Sequence, residues 1–258
     1  MITITLNDDY NAMMREYAKN MKRISEAFGE QFRQIREAQN TIKTAISRIE
    51  FPKIDLPEIE IDYKKIEALV EHNSLSGWTI TGKMNLNFYL DVKLLQIKSM
   101  QLDELFLNYY ESNSNETYFM EKSVILKGID DRWRNVLIDC FDLYESEKYG
   151  VIIPLLITII EGEISDIAMS NEIGNRLIRE WKGKILSEEE KFLIIISHSL
   201  IKYLSSKMFV RKDFAEERGS MLNRNWVLHG RDNPNYWTKV DALKLINVLS
   251  TLQFIKDK

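Results

Sequence analysis

The chain has 258 residues, 45% of them hydrophobic and 29% charged, with 10 Gly, 4 Pro, one Cys and a formal net charge of −4. This balance excludes collagen-like, low-complexity and disordered classes, and the length suffices for one or two domains with a sizeable core. The lone Cys140 excludes an intramolecular disulfide and a Cys-based zinc cluster, and a pI of about 5.6 leaves no global basic field to advertise nucleic acid.

In chain order, the first pattern runs from about Asn7 to Ile49. Met14, Tyr17, Met21, Ile24, Phe28, Phe32, Ile35, Ile42, Ile46 and Ile49 recur at spacings of three, four or seven, close to a coiled-coil seam. A helix of some 40 residues is about 60 Å long and needs a partner helix, from this chain or a second copy. Pro52 and Pro57 end it, and Phe51–Tyr63 reads as an extended connector. Lys64–His72 reads as a short helix, and Ser74–Lys83 as a loop or short strand punctuated by Gly77 and Gly82. Weak helical patterns cover Asn87–Met100 and Asp103–Tyr110. The polar stretch Ser112–Thr117 then marks a gap and a candidate domain boundary.

From Asp131 the pattern is strongly helical. Trp133, Val136, Leu137, Cys140, Phe141 and Tyr144 share one face of a helix over Asp131–Tyr149. Gly150 is expected to separate it from a helix over Ile152–Ser170, with Pro154 in its first turn. The Ser187–Glu190 capping box predicts a helix through Tyr203, and a further helix is expected over Asp213–His229, stopped by Gly230. Thr238 and Asp241 cap a last helix through Leu252. The expectation is an all-α protein: an N-terminal helical arm and connector (1–75), a middle region of loops and short helices (76–130), and a helical bundle (131–258). The most apolar run, Val151–Ile160, falls short of the about 20 residues a bilayer span needs, and no basic n-region opens the chain. A cytoplasmic protein without a membrane partner is therefore expected.

The chemistry-bearing residues are few. Three histidines occur, His72, His198 and His229. His72 lies in a polar stretch without evident company, and His198 reads as a hydrogen-bonded core histidine. No HExxH, no P-loop, no G-x-G-x-x-G and no G-x-S-x-G occurs, so no metal and no cofactor is expected. His229 differs because Arg224-Asn225 stands five and four residues before it and Gly230 follows. An imidazole exchanges protons with a ribose 2′-OH or a leaving oxygen, a guanidinium holds the scissile phosphate, and an amide orients either. On a regular helix Arg224 and His229 lie about 140° apart, whereas Asn225 and His229 share a face. The plain alternative is a helix C-terminus whose His and Arg meet the dipole.

Arg224-Asn-Trp-Val-Leu-His229-Gly, between helices, resembles the motif of the HEPN superfamily of helical ribonucleases. Ile152–Gly162, an apolar helix ending in Glu-Gly, and the tail Val240–Leu252 are similar to helices of phage-defence members. The resemblance covers about residues 130–258. It implies a HEPN-like bundle whose motif sits at a homodimer interface (or in a higher homo-oligomer). There two copies build one metal-independent cleft that cuts RNA and leaves a 2′,3′-cyclic phosphate. Arg224 and His229 match the fixed members of the motif and Asn225 its polar one. Glu161 either orders the Arg or His from a neighbouring helix or caps a turn. Arg231 either reaches phosphate or is solvated. Tyr236 and Trp237 either stack on bases or staple the last helix, while Trp226 packs between helices. Arg211, Lys212, Arg218, Arg224, Arg231 and Lys239 supply a modest local positive excess. An anti-phage or toxin role, held in check by an antitoxin or a phage-derived trigger, follows from the same resemblance. The rival is a HEPN-like RNA- or protein-binding module without catalysis; a coiled-coil scaffold explains only the arm.

Overall fold

The computed structural model describes residues 63–185 and 191–256. The expected helix over Asn7–Ile49, its connector and the Ser187 capping box lie outside the described residues. The chain divides into two units, one of Met1–Glu67 with Glu189–Ile195 and one of Ala68–Glu188 with Ile196–Lys258. The first contributes only helix ends to the described part. The second spans both the middle and the C-terminal regions. Every regular element among the described residues is helical, and none contains a strand.

The helices are α1 (Tyr63–Leu75), the one-turn α2 (Leu86–Tyr89), α3 (Ser99–Gly128), α4 (Asp131–Glu145), α5 (Tyr149–Ala168), α6 (Gly174–Ile185), α7 (Lys191–Tyr203), the short α8 (Arg224–Leu228) and α9 (Lys239–Lys256). A 3-10 turn covers Val92–Gln96, a π turn Leu204–Met208 and a second 3-10 turn Pro234–Tyr236. The expected helix over Lys64–His72 is part of α1, and His72 within it has its Nε2 3.1 Å from the Ile97 carbonyl oxygen.

The centre of the second unit is α9. Every residue from Ala242 to Gln253 is buried, so the helix is surrounded rather than amphipathic. It packs on α5 and α3, while α4 and α6 pack on α5. Burying an aliphatic side chain such as Leu243, Ile246 or Leu249 is worth about 1.5–3 kcal/mol. The start of α9 is a reciprocal cap. The Asp241 carboxylate accepts from the Thr238 N–H at 2.9 Å, and Thr238 Oγ1 accepts from the Asp241 N–H at 3.2 Å.

Because α9 is enclosed, its polar side chains must find partners inside. Asn247 and Thr251 find theirs on the loop after α1, itself buried at Trp78, Thr79 and Ile80, while Ser250 and Gln253 donate to Glu121 of α3 and Glu163 of α5. Asn247 accepts from the Thr79 N–H at 2.8 Å and donates to the Thr79 carbonyl at 3.0 Å, standing in for the missing strand neighbour. Asn247 also donates to Tyr110 Oη at 2.8 Å. The Thr251 hydroxyl donates to the Ile80 carbonyl at 3.2 Å. Lys244, nearly enclosed, pairs with Asp103 at 2.7 Å, and Asp103 also accepts the Trp78 indole N–H at 2.8 Å.

Several boundaries differ from the sequence reading. The expected helix over Asn87–Met100 is a one-turn helix and a 3-10 turn, with α3 starting at Ser99, and Asp103–Tyr110 is only part of α3. Gly150 lies in the first turn of α5, and the break falls at Ser146–Lys148, where Glu147 takes φ +62°. Pro154 consequently sits in the second turn. No helix covers Asp213–His229; only Arg224–Leu228 is helical there. The Asp213 carboxylate does accept the Ala215 N–H at 3.0 Å, and Glu216 accepts the Asp213 N–H at 3.0 Å. A start signal thus forms, yet residues 213–217 are exposed. With little apolar surface to bury, nothing offsets the cost of propagating the helix.

Candidate functional site

The Arg-Asn…His segment is built around α8. Asn223 is its N-cap: Oδ1 accepts the N–H groups of Asn225 at 3.1 Å and Trp226 at 3.3 Å, while Nδ2 donates to the Val210 carbonyl at 2.8 Å. This cap fixes Arg224 as the first helical residue. At the other end Gly230 adopts φ +65°, donating to the Val227 carbonyl at 3.1 Å, and the Arg231 N–H reaches the Trp226 carbonyl at 2.7 Å. That pair of bonds is a Schellman stop, which a left-handed glycine makes without strain. Gly230 therefore terminates the helix immediately after His229.

Glu161 reaches the start of α8 from α5. Its Oε2 accepts from Arg224 Nε at 2.8 Å and Nη2 at 2.7 Å. Its Oε1 accepts the N–H of Gly174, the first residue of α6, at 2.6 Å. Both alternatives open for Glu161 thus occur together: it orders the arginine and caps a turn. Arg224 Nη1 donates to Asn225 Oδ1 at 3.0 Å. Both side chains of the Arg224–Glu161 pair are mostly buried, at 14% and 13% exposure.

His229 stands apart from this cluster. It is exposed at the C-cap of α8, the opposite end from Arg224, and its ring meets the Phe214 ring edge-on, centroids 6.0 Å apart. Among the described residues the imidazole has no hydrogen-bond partner. Arg231 is exposed and stacks its guanidinium over the same Phe214 ring at 5.5 Å. Phe214 is thus a shared platform that the sequence reading missed. Its signal was faint, a single aromatic in a polar stretch.

The aromatic candidates divide. Tyr236 is 59% exposed and carries the Arg218 guanidinium over its ring at 5.4 Å. Trp237 is fixed: its indole N–H donates to Asp232 at 2.8 Å, and its ring lies against Gly150 of α5. Trp226 is buried as expected, with its indole N–H unpaired. Gly162, beside Glu161, leaves room for the Trp133 ring; a Cβ there would come within 3.1 Å of it.

The positive excess is smaller than the residue list implies. Arg218 pairs with Asp232 at 2.6 Å, Arg224 with Glu161, and Lys239 with Glu111. Among the described residues Arg211, Lys212 and Arg231 carry no ion pair. His198 is half-buried without a hydrogen-bond partner among the described residues, which corrects its expected pairing; burial, then Lys202 and Lys182, pushes its pKa down. Cys140 is buried, and burial followed by Asp139 pushes its thiol up to about 11. No group of three or more His, Cys, Asp or Glu among the described residues is arranged to hold a metal ion. No described helix is long and apolar enough to cross a membrane.

A scan of protein-family models, a search of curated proteins and a search of solved structures each return no match for this chain.

Proposed function

We propose that the chain is a metal-independent endoribonuclease of the HEPN kind, acting in the cytoplasm as a homo-oligomer in anti-phage defence or as a toxin. The supporting observation is the arrangement about α8: Arg224 anchored by Glu161 and Asn225 at one end, and an accessible imidazole at the other. In this reading His229 removes the 2′-OH proton of the substrate RNA or protonates the departing 5′-oxygen. The 2′-oxygen attacks phosphorus, the P–O5′ bond breaks, and a 2′,3′-cyclic phosphate remains. Arg224 balances the charge on the non-bridging oxygens, Asn225 orients it, and Arg231 with Tyr236 contacts the strand. Since Arg224 and His229 occupy opposite ends of α8, the reading places the working Arg–His combination between two copies.

RNA incubated in EDTA with wild type, His229→Ala and Arg224→Ala tests this. Cleavage by wild type alone, with cyclic phosphate ends, is the expected result. Equal cleavage by all three would overturn it. One observation favours a non-catalytic RNA- or protein-binding module: the Arg224 guanidinium is already engaged by a carboxylate and an amide. That module would hold RNA intact, with equal affinity in wild type and His229→Ala.

A further inference from the structure

A cleft of about 340 Å³ lies away from α8, between the break in α3, the α4–α5 turn and the start of α9. Four tyrosines and Phe119 line it, together with Glu111, Glu145, Glu147 and Lys239. Its size falls in the range of small-molecule sites, and its lining combines aromatic surface with a few charged groups. Three carboxylates face one ammonium, so the cleft is acidic. These carboxylates do not form a metal-holding group.

The carboxylates are engaged to different degrees. Glu111 pairs with Lys239. Glu145 accepts from Tyr118 Oη at 3.0 Å and from Lys122 at 2.7 Å. The Glu147 carboxylate lies within electrostatic range of Lys239 yet has no hydrogen bond or ion pair among the described residues. Tyr144, stacked on Tyr118 with centroids 5.1 Å apart, keeps a hydroxyl without a hydrogen-bond partner there.

The cleft already displays one mode of recognition. The Lys239 ammonium lies 5.9 Å from the Tyr149 ring centroid while paired with Glu111, so an alkylammonium is held by an aromatic face and a carboxylate together. Backbone strain gathers at the same place. Glu147 (φ +62°), in the lining, adopts a left-handed conformation unfavourable for a residue with a Cβ. Such strain concentrates at ligand clamps and functional sites.

We infer that this cleft binds a small organic ammonium ion, with Tyr149 supplying the aromatic face, Glu147 the uncommitted carboxylate and Tyr144 a hydroxyl. Choline and putrescine probe the methylated and primary forms of that chemistry. Each is titrated calorimetrically into the full-length chain, against sodium chloride of equal ionic strength. Saturable binding of at least one is expected. Glu147→Gln and Tyr149→Leu should weaken it roughly tenfold, Tyr149→Phe should retain it, and Lys239→Met, which removes the competing ammonium, should tighten it. Glu147 is exposed, so its variant tests the site without disturbing the core. No binding of either probe up to about 10 mM, or binding indifferent to Glu147→Gln and Tyr149→Leu, overturns the inference. A preference for choline assigns a methylated ligand, and one for putrescine a primary amine.

Discussion

Glu161 shows how one side chain couples distant segments. It binds Arg224, 63 residues away, through two nitrogens, and the first amide of α6 through its other oxygen. Charge-assisted bonds of this kind are worth about 1.5–3 kcal/mol each when one partner is removed. Glu161→Gln keeps the shape and an acceptor but removes the charge, so it should lower unfolding stability by about 1–2 kcal/mol. Arg224→Met should cost a similar amount. If the pair is coupled, the double variant loses less than the sum, by about 1 kcal/mol or more, in urea denaturation. Strict additivity would show that Glu161 acts through Gly174 rather than through the arginine. Glu161 was legible in the sequence only as a pair of alternatives, because nothing local indicates which distant residue a helix-borne carboxylate will meet. Gly230 was legible more directly. A glycine at the end of a helical pattern carries its own reason, the left-handed stop, and that reason is independent of any chemistry at His229.

At the level of elements, the sequence gives good access to helices that carry both a cap and a stripe. The α4 helix has Asp130 accepting the Arg132 N–H at 2.9 Å and a buried face of Leu137, Cys140, Phe141 and Tyr144. The Asp213–His229 expectation failed where the cap formed without the stripe. The polar stretch after Glu111 was visible as an interruption, but its form was not. Rather than a linker, Asn113, Ser114 and Asn115 take φ +50°, +58° and +63° in succession inside α3. Asparagine tolerates this conformation better than serine. Ser114→Gly should therefore stabilise the chain by about 0.5–1 kcal/mol: relief of left-handed strain exceeds the extra freedom glycine has when unfolded. A higher urea midpoint with an unchanged slope is the expected reading, and a lower one would mean that the serine side chain matters more than its backbone.

Across the whole molecule, the least legible feature is the polar interior. The sequence marks a capped last helix through Leu252 but not that all of Lys244–Gln253 is buried, which follows because α3, α5 and the Trp78–Ile80 loop close around α9. Periodicity reports which face is apolar; it does not report that partners for Asn247 and Thr251 arrive from a loop some 170 residues away, or that Ser250 meets a carboxylate of α3. Glu121 belongs to this interior. It is fully buried and accepts from the hydroxyls of Thr81 and Ser250. Burial raises its pKa, opposed by those two bonds and by Lys83. The sign follows from proton counting. With the folded value above the unfolded value of about 4.3, the folded chain binds more protons over the interval between them, so stability falls as pH rises through it. The contribution is complete below the unfolded value and lost above the folded one. Glu121→Gln carries no charge to bury and should remove this slope. Urea midpoints from pH 4 to 8 should accordingly show wild type losing stability relative to Glu121→Gln across the lower part of that range, then running parallel. Parallel curves throughout would mean that the two hydroxyls and Lys83 hold the carboxylate at its unfolded value. The fold would then tolerate a buried charge on α3, against α9, without a pH-dependent cost.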